Sequence, residues 1–313
     1  MSILLAVTTH NEELHIGFQL DNALSMGCYD NIVILDDGST DNTWNIISNY
    51  ATNFKNIHIF RNDKNSVLSN GENRWVTISN IIRDSGFNPT WVNNRAADIV
   101  YPIKSGKILV EQIEYLTAKG AQTISISFVN LWRSDSYYRV DGWWNEGIID
   151  ERMKVLWKYD NNFVWSDYDL KAGMHQGASI PSIHRKLNMG ISSGKSAFGL
   201  VPGLHYGMSS HAKMVSRFCW SMEKAIASSK INRSFDMPPP DRMPQVMYWG
   251  KFNGYKVFYE FNMRFEKLRN DWLLGNETFV KPKVESLYDT IKKYNSIRAE
   301  EYLELFRRHY GNS

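Results

Sequence analysis

Cysteine is almost missing: Cys28 and Cys219 are the only two in 313 residues. Two isolated thiols make neither a disulfide framework nor a metal-binding cluster, and they point to a reducing compartment. Long apolar runs are missing too, since none reaches the roughly 18 residues that a membrane-spanning helix needs. The start, Met1 to Val7, lacks the basic flank and long apolar core of a secretory signal. The expectation is a soluble, cytoplasmic chain with no transmembrane segment. Charge of one sign is scarce as well. A net charge of +3 does not demand a polyanionic partner, though it does not exclude one. No internal repeat or low-complexity run is visible, which argues against a solenoid.

What is present is an ordinary globular balance, with 43% hydrophobic and 22% charged residues, ample for a sizeable core. The length suits one large domain or a domain with an appendage. Eleven Trp and 16 Tyr are many. Rings with polar tips suit sugar and base recognition, and they suit ordinary packing as well.

The chain is organised around Ile34-Leu35-Asp36-Asp37-Gly38-Ser39-Thr40-Asp41-Asn42-Thr43. With Asn31 to Val33 before it, an apolar run fit for a buried parallel strand ends in two carboxylates and a turn. Ligands of open parallel sheets sit outside the carboxyl ends of the strands. Gly38 allows the sharp turn, and Ser39, Thr40 or Asp41 is placed to cap a helix through Trp44 and Ile47. Upstream, Ile3 to Val7 predicts a first strand ended by Thr8-Thr9-His10-Asn11-Glu12-Glu13. Leu14, Phe18, Leu20 and Leu24 then recur at roughly helical spacing. Two successive strand–helix units begin an open, doubly wound α/β sheet.

Further on, Asn56 to Asn62 predicts a third strand, and Lys107 to Leu116 an amphipathic helix stopped near Gly120. Thr123 to Val129 alternates polar and apolar residues, as a strand with one covered face does. Lys154 to Tyr159 and Phe163 to Trp165 read as paired strands or a returning hairpin. Asp236-Met237-Pro238-Pro239-Pro240-Asp241 is a stiff break. It divides the chain into a domain over 1–235 and a C-terminal helical extension over 236–313, which reads as helices packing on that domain or as an acceptor-side lobe.

The Asp36 to Asp41 stretch resembles the DDGSTD segment of family 2 glycosyltransferases, and Thr8, Asn11 and Glu12 match that family's T-x-x-N-E pattern. Asn130 to Trp144 resembles the W-R-S-D-x-x-Y-R-V-D-G run of a subset of bacterial and viral members. His205-Tyr206-Gly207 matches a late H-Y-G segment of the same subset. The resemblance thins out after these segments. It implies a GT-A (Rossmann-like) fold over 1–235, with a mixed, mostly parallel sheet flanked by helices. It also implies an inverting, metal-dependent transfer of a hexosyl or pentosyl group. The sugar would pass from a nucleoside-diphosphate sugar to the hydroxyl of an acceptor glycan or other hydroxyl-bearing molecule.

Residue by residue, the resemblance implies that Thr8 and Asp37 contact the nucleobase or ribose, with Asn11 and Glu12 beside them. Capping of the first helix is the plainer role for Thr8 and Asn11. By strand alternation Asp36 points elsewhere and serves the fold. Glu72 and Arg74 fall where the family often opens a helix with N-x-G…R-N. The match is loose, and Arg74 either reaches the diphosphate or is a solvated surface arginine. Ala96-Ala97-Asp98 stands where Asp-x-Asp is expected, so the first carboxylate is missing, and Asn93, Asn94 and Arg95 replace apolar residues. Three readings stay open. Asp98 alone holds Mn²⁺ or Mg²⁺ with water and diphosphate, Arg95 supplies positive charge in its place, or the site is degenerate.

His205 matches the late histidine that completes the metal shell in many GT-A enzymes, and imidazole suits Mn²⁺ better than Mg²⁺. A buried, hydrogen-bonded histidine is the alternative. His175 also stands among glycines, between Gly173 and Gly177. For the general base the expectation is Asp141, which Gly142, Trp143 and Trp144 follow as an apolar wall able to raise its pKa. Ion pairing with Arg133 or Arg139 is the competing role, and Asp167 and Asp169 are next in line. Two rival functions follow. One is a phage-type glycosyltransferase acting on hydroxymethylated bases, motivated by the basic, aromatic tail. The other is a non-catalytic nucleotide-sugar-binding module, motivated by Ala96.

Overall fold

The computed structural model describes residues 1–66, 69, 72–101, 105–126, 128–132, 137–139, 154–163, 165, 196–198, 201, 203–210 and 279–282. Strand β1 (Ile3–Thr9) leads to helix α1 (Ile16–Met26), β2 (Asn31–Asp36) to α2 (Thr43–Asn53), and β3 (Ile57–Arg61) to α3 (Arg74–Asp84). Then come β4 (Trp91–Ala96), the two-residue β5 (Ile99–Val100), α4 (Gly106–Ala118), β6 (Thr123–Ser125), β7 (Phe128–Trp132) and β8 (Tyr137–Arg139). The chain's later strands are β9 (Lys154–Lys158), β10 (Ser196–Phe198), β11 (Gly203–Met208) and β12 (Phe279–Pro282).

The main sheet has seven strands in the order β10-β6-β9-β4-β1-β2-β3. All pairs are parallel except those of β9, which runs antiparallel between β4 and β6. The order turns back at β1, with β2 on one side and β4 on the other. In an open α/β sheet that reversal leaves a crevice outside the carboxyl ends of the strands. A second sheet has five strands in the order β12-β8-β7-β11-β5.

Alternation along the strands builds two cores. Ile3, Leu5, Val7, Ile32, Ile34 and Trp91 face α1, α2 and α4, meeting Ile16, Leu20, Ile47, Leu109 and Ile113. Leu4, Ala6, Val33, Leu35 and Val92 face α3, meeting Trp75, Ile78 and Ile82. Both faces of β1 are covered, which is why it reads as a continuous apolar run. Helix α4 lies directly on the end of α1: a Cβ at Gly106 would fall on the carbonyl of Met26.

Four expectations change. The buried side of α1 is Ile16, Leu20 and Ala23, whereas Leu14 and Phe18 are exposed at 55% and 49%. The 3.6-residue period is satisfied equally by two apolar series, and only docking selects one. The alternating segment Thr123 to Val129 is split between β6 and β7, which belong to different sheets. Lys154 to Lys158 is a strand, but its partners are β4 and β6 rather than a returning hairpin; Phe163 instead packs beside Trp157 and Tyr159 in the α3-side core. Within the stretch expected to be helical, Phe279–Pro282 is a strand paired with β8. The remainder of 236–313 lies outside the described residues.

Candidate functional site

The carboxyl ends of β1, β2 and β4 meet at the crevice. Thr8 at the end of β1 lies in register with Leu35 on one side and Ala96 on the other. Its hydroxyl is buried and has no hydrogen-bond partner among the described residues, an arrangement that calls for an explanation such as a ligand or water. By alternation Thr8, Asp37 and Ala96 share the side of the sheet that packs on α3, and Arg74 opens that helix. Asn73 caps α3, its side chain accepting from the Trp75 N–H at 3.0 Å.

The loops after β1 and β2 are sewn together. Asn11, at φ 53°, accepts from the Thr40 N–H at 2.8 Å and donates its own N–H to Ser39 Oγ at 3.0 Å. The Glu12 N–H donates to Thr43 Oγ1 at 2.8 Å. The Asn42 N–H donates to Glu13 Oε2 at 3.0 Å. Asn11 therefore braces the second loop rather than capping α1, whose N-cap is His15 with no side-chain cap. Asp41 does act at the start of α2, accepting from the Thr43 N–H at 3.0 Å.

Asp36 and Asp37 diverge as alternation requires. Asp36 is fully buried, 3.1 Å from Arg61 Nε, and accepts from the Ser39 N–H at 3.2 Å. Burial nevertheless pushes its carboxyl above the usual value, against the Ser39 hydrogen bonds and the Arg61 charge. Asp37 is equally buried and gathers the segment after β3. Its carboxylate accepts from Asn62 Nδ2 at 2.8 Å, Asn65 Nδ2 at 3.1 Å, the Ser66 N–H at 2.9 Å and Ser66 Oγ at 2.7 Å. An ionised carboxylate offers about four acceptor sites, so this segment alone can saturate it. Gly38 makes the approach possible. It sits at φ +70°, and a Cβ there would stand 2.5 Å from the Asn65 nitrogen.

His10 was not singled out from the sequence. Its Nδ1 lies 2.9 Å from the Asp37 carbonyl oxygen, and since a carbonyl only accepts, Nδ1 carries the proton. Burial lowers its pKa below 6.5, against the opposing pull of Asp37. The signal in the sequence was its place between Thr8 and Asn11, within the very segment that ends β1.

Asp98 and His205 come together. The pairing of β5 with β11 sets His205 opposite Ile99, and the Tyr206 N–H donates to the Asp98 carbonyl at 2.8 Å. This leaves His205 Nε2 3.2 Å from Asp98 Oδ2. At that distance the two groups form an ion pair or hydrogen bond, the alternative role of His205, and it is also the spacing of two donors of one cation, each about 2.1 Å from it at about a right angle. Among the described residues no group of three or more His, Cys, Asp or Glu side chains could hold one.

Arg95 lies elsewhere. It shares the α1-side face with Trp91 and Asn93, is 1% exposed, and has its guanidinium 4.8 Å from the Tyr101 ring centre and 5.8 Å from that of Tyr29. The polar residues Asn93 and Arg95 of β4 are thus absorbed in the layer beneath α1. Asp141, Asp135, Asp167, Asp169 and His175 lie outside the described residues. No helix among those described is long and apolar enough to cross a membrane.

The family model described as Glycosyl transferase family 2 matches residues 5–78. That segment runs from β1 into α3 and holds Thr8, Asn11, Glu12, Asp37 and Arg74. No curated protein sequence matches the chain. Among solved structures, TarS of S. aureus is similar at 13% identity and TM-score 0.45, over 98% of this chain and 54% of that one. A mannosyltransferase of Pyrobaculum calidifontis, in complex with GDP-Man and Mn²⁺, is similar at 13% identity and TM-score 0.41, over 96% of this chain and 78% of that one. Glucosyl-3-phosphoglycerate synthase of Mycobacterium tuberculosis, in complex with Mn²⁺, UDP and glucosyl-3-phosphoglycerate, is similar at 14% identity and TM-score 0.40, over 69% of this chain and 79% of that one.

Proposed function

We propose that this chain is a family 2 glycosyltransferase of GT-A type that moves a sugar from a nucleoside-diphosphate sugar to an acceptor hydroxyl with inversion. The observation that carries the reading is the meeting of Asp98 with His205 at 3.2 Å, beyond the end of the strand beside Thr8. The match of residues 5–78 to the family 2 model supports it from the other half of the crevice.

In this reading the end of β1 and the Asp37 loop hold the nucleoside. The Thr8 hydroxyl gains a partner there, and a base N–H or ribose hydroxyl reaches Asp37 in exchange for one of the donors from 62–66. Asn11 and Glu12 fix the loop that frames this pocket. Arg74, at the first turn of α3, faces the diphosphate. Asp98 and His205 hold Mn²⁺ or Mg²⁺, which when bound neutralises charge on the leaving diphosphate. Asp141 takes the proton of the acceptor hydroxyl as its oxygen attacks the anomeric carbon. With Ala96 in place of a carboxylate, the chain supplies little negative charge to the cation. It therefore binds mainly together with the diphosphate.

The test is a screen of purified protein against nucleotide sugars, with and without MnCl₂, read by thermal shift and by release of nucleoside diphosphate. A shift and turnover with one donor is the expected result. No response to any donor overturns the proposal, and binding without transfer to any acceptor leaves a nucleotide-sugar-binding module.

A further inference from the structure

Three residues after Asp98 the chain is tied to α1 through the backbone of Tyr101. Tyr101, at the end of β5, is gripped at two backbone points by one side chain of α1. The Tyr101 N–H donates to Asn22 Oδ1 at 3.0 Å, and Asn22 Nδ2 donates to the Tyr101 carbonyl at 2.8 Å. Its hydroxyl lies 3.1 Å from Asn93 Nδ2 and 3.3 Å from Asn93 Oδ1, and the Arg95 guanidinium covers its ring. Asn93 also donates to the Tyr29 hydroxyl at 2.9 Å. Asn22, Asn93, Arg95 and Tyr101 are exposed at 7%, 0%, 1% and 1%, so these bonds are made out of water, where losing one is costly.

The strand so anchored is only two residues long. At its other end Asp98 meets His205 and Tyr206. A strand that short has little rigidity of its own; its pairing with β11 sets Asp98 against His205, and the attachment at Tyr101 ties the same strand to α1. Helix α1 buries two amides, Gln19 and Asn22, beside Ile16, Leu20 and Ala23, and Asn22 is the one bonded to the Tyr101 backbone.

We infer that Asn22 is a positioning residue: by clamping the Tyr101 backbone to α1 it steadies β5, so that the pairing with β11 keeps Asp98 and His205 at the separation needed for a shared cation. This rests on the reading of that pair as the metal-holding group. Groups that orient a metal ligand from behind commonly change metal affinity or activity about 10–100-fold when removed.

The experiment measures binding of UDP and GDP by calorimetry, with and without MnCl₂, alongside UMP and GMP. The readout is the gain in diphosphate affinity that Mn²⁺ produces. In Asn22→Ala this gain should fall about tenfold while monophosphate affinity stays as in the unaltered protein. Asn22→Asp keeps the acceptor for the Tyr101 N–H, loses the donor to its carbonyl and sets a carboxylate 3.5 Å from Arg95 Nη1. Its gain should lie between the two, and it carries the test by itself if Asn22→Ala does not fold. Tyr101→Phe, which leaves the backbone clamp intact, should keep the gain. An undiminished gain in the Asn22 variants, or an equal loss of monophosphate binding, overturns the inference. If the unaltered protein binds the nucleotides with no Mn²⁺ gain, the reading of Asp98 and His205 fails first and this inference falls with it.

Discussion

The Asp98 carboxylate stands 3.2 Å from the imidazole of His205, although the two residues lie far apart in the chain. The contact depends on an antiparallel pairing of only two residues on the β5 side, Ile99 and Val100. If the pair holds a cation, Asp98→Asn and His205→Ala should each lower Mn²⁺-dependent nucleotide affinity about tenfold or more, with metal-independent binding retained. Ala96→Asp should tighten Mn²⁺ binding in the absence of nucleotide. Calorimetry checks all three, and tight Mn²⁺ binding by the unaltered protein without nucleotide would contradict the assignment.

Asp37 supports the 62–66 segment as well as the crevice. Asp37→Ala removes the carboxylate to which Asn62 Nδ2, Ser66 N–H and Ser66 Oγ donate, while Asn65 Nδ2 keeps the residue 37 carbonyl at 3.0 Å, so urea unfolding should show a loss of about 2–4 kcal/mol. Nucleotide affinity of the folded fraction should fall by about 1–3 kcal/mol as well. Unchanged affinity in a folded variant would assign Asp37 to the fold alone.

Gly38 has no tolerated replacement by this geometry. Gly38→Ala adds a Cβ at φ +70° within 2.5 Å of the Asn65 nitrogen, so both backbone strain and a backbone clash oppose it. The expected cost is about 3 kcal/mol, combining left-handed strain with overpacking. A melting temperature equal to that of the unaltered protein would mean that the two loops separate freely.

His10 gives a pH dependence of definite sign. Its folded pKa is below its unfolded value of 6.5, so the unfolded chain binds the proton more readily. The contribution is fully present above 6.5 and is lost as pH falls through the folded pKa. His10→Gln, which can still donate to the Asp37 carbonyl, should lose less stability than the unaltered protein between about pH 7.5 and about pH 5. Parallel urea curves for the two at both pH values would remove His10 from the account.

Asp141→Asn preserves shape and removes basicity. With Asp141 as the base, donor binding survives while turnover falls about 10²–10⁴-fold. Turnover near that of the unaltered protein moves the assignment to Asp169.

The strand–helix alternation, the turn at Gly38 and the divergence of Asp36 from Asp37 were all legible in the sequence, because each is a local matter of period or backbone conformation. Ile32 and Ile34 face one core and Val33 and Leu35 the other for no reason beyond the two-residue repeat. The tertiary structure alone decided what depends on distant partners. It chose which apolar series of α1 is buried, leaving Leu14 and Phe18 in water. It divided Thr123 to Val129 between two sheets, with β6 beside β9 and β10 and β7 beside β8 and β11. The resemblance names Asp98 and His205 together as metal ligands, but the pairing of β5 with β11 that sets them in contact is a long-range register that no local pattern contains. It also gave Asn93 and Arg95, out of place in a strand by type, their partners in Tyr29 and Tyr101. A buried polar group is explained only by what it meets, and what it meets is fixed by the fold.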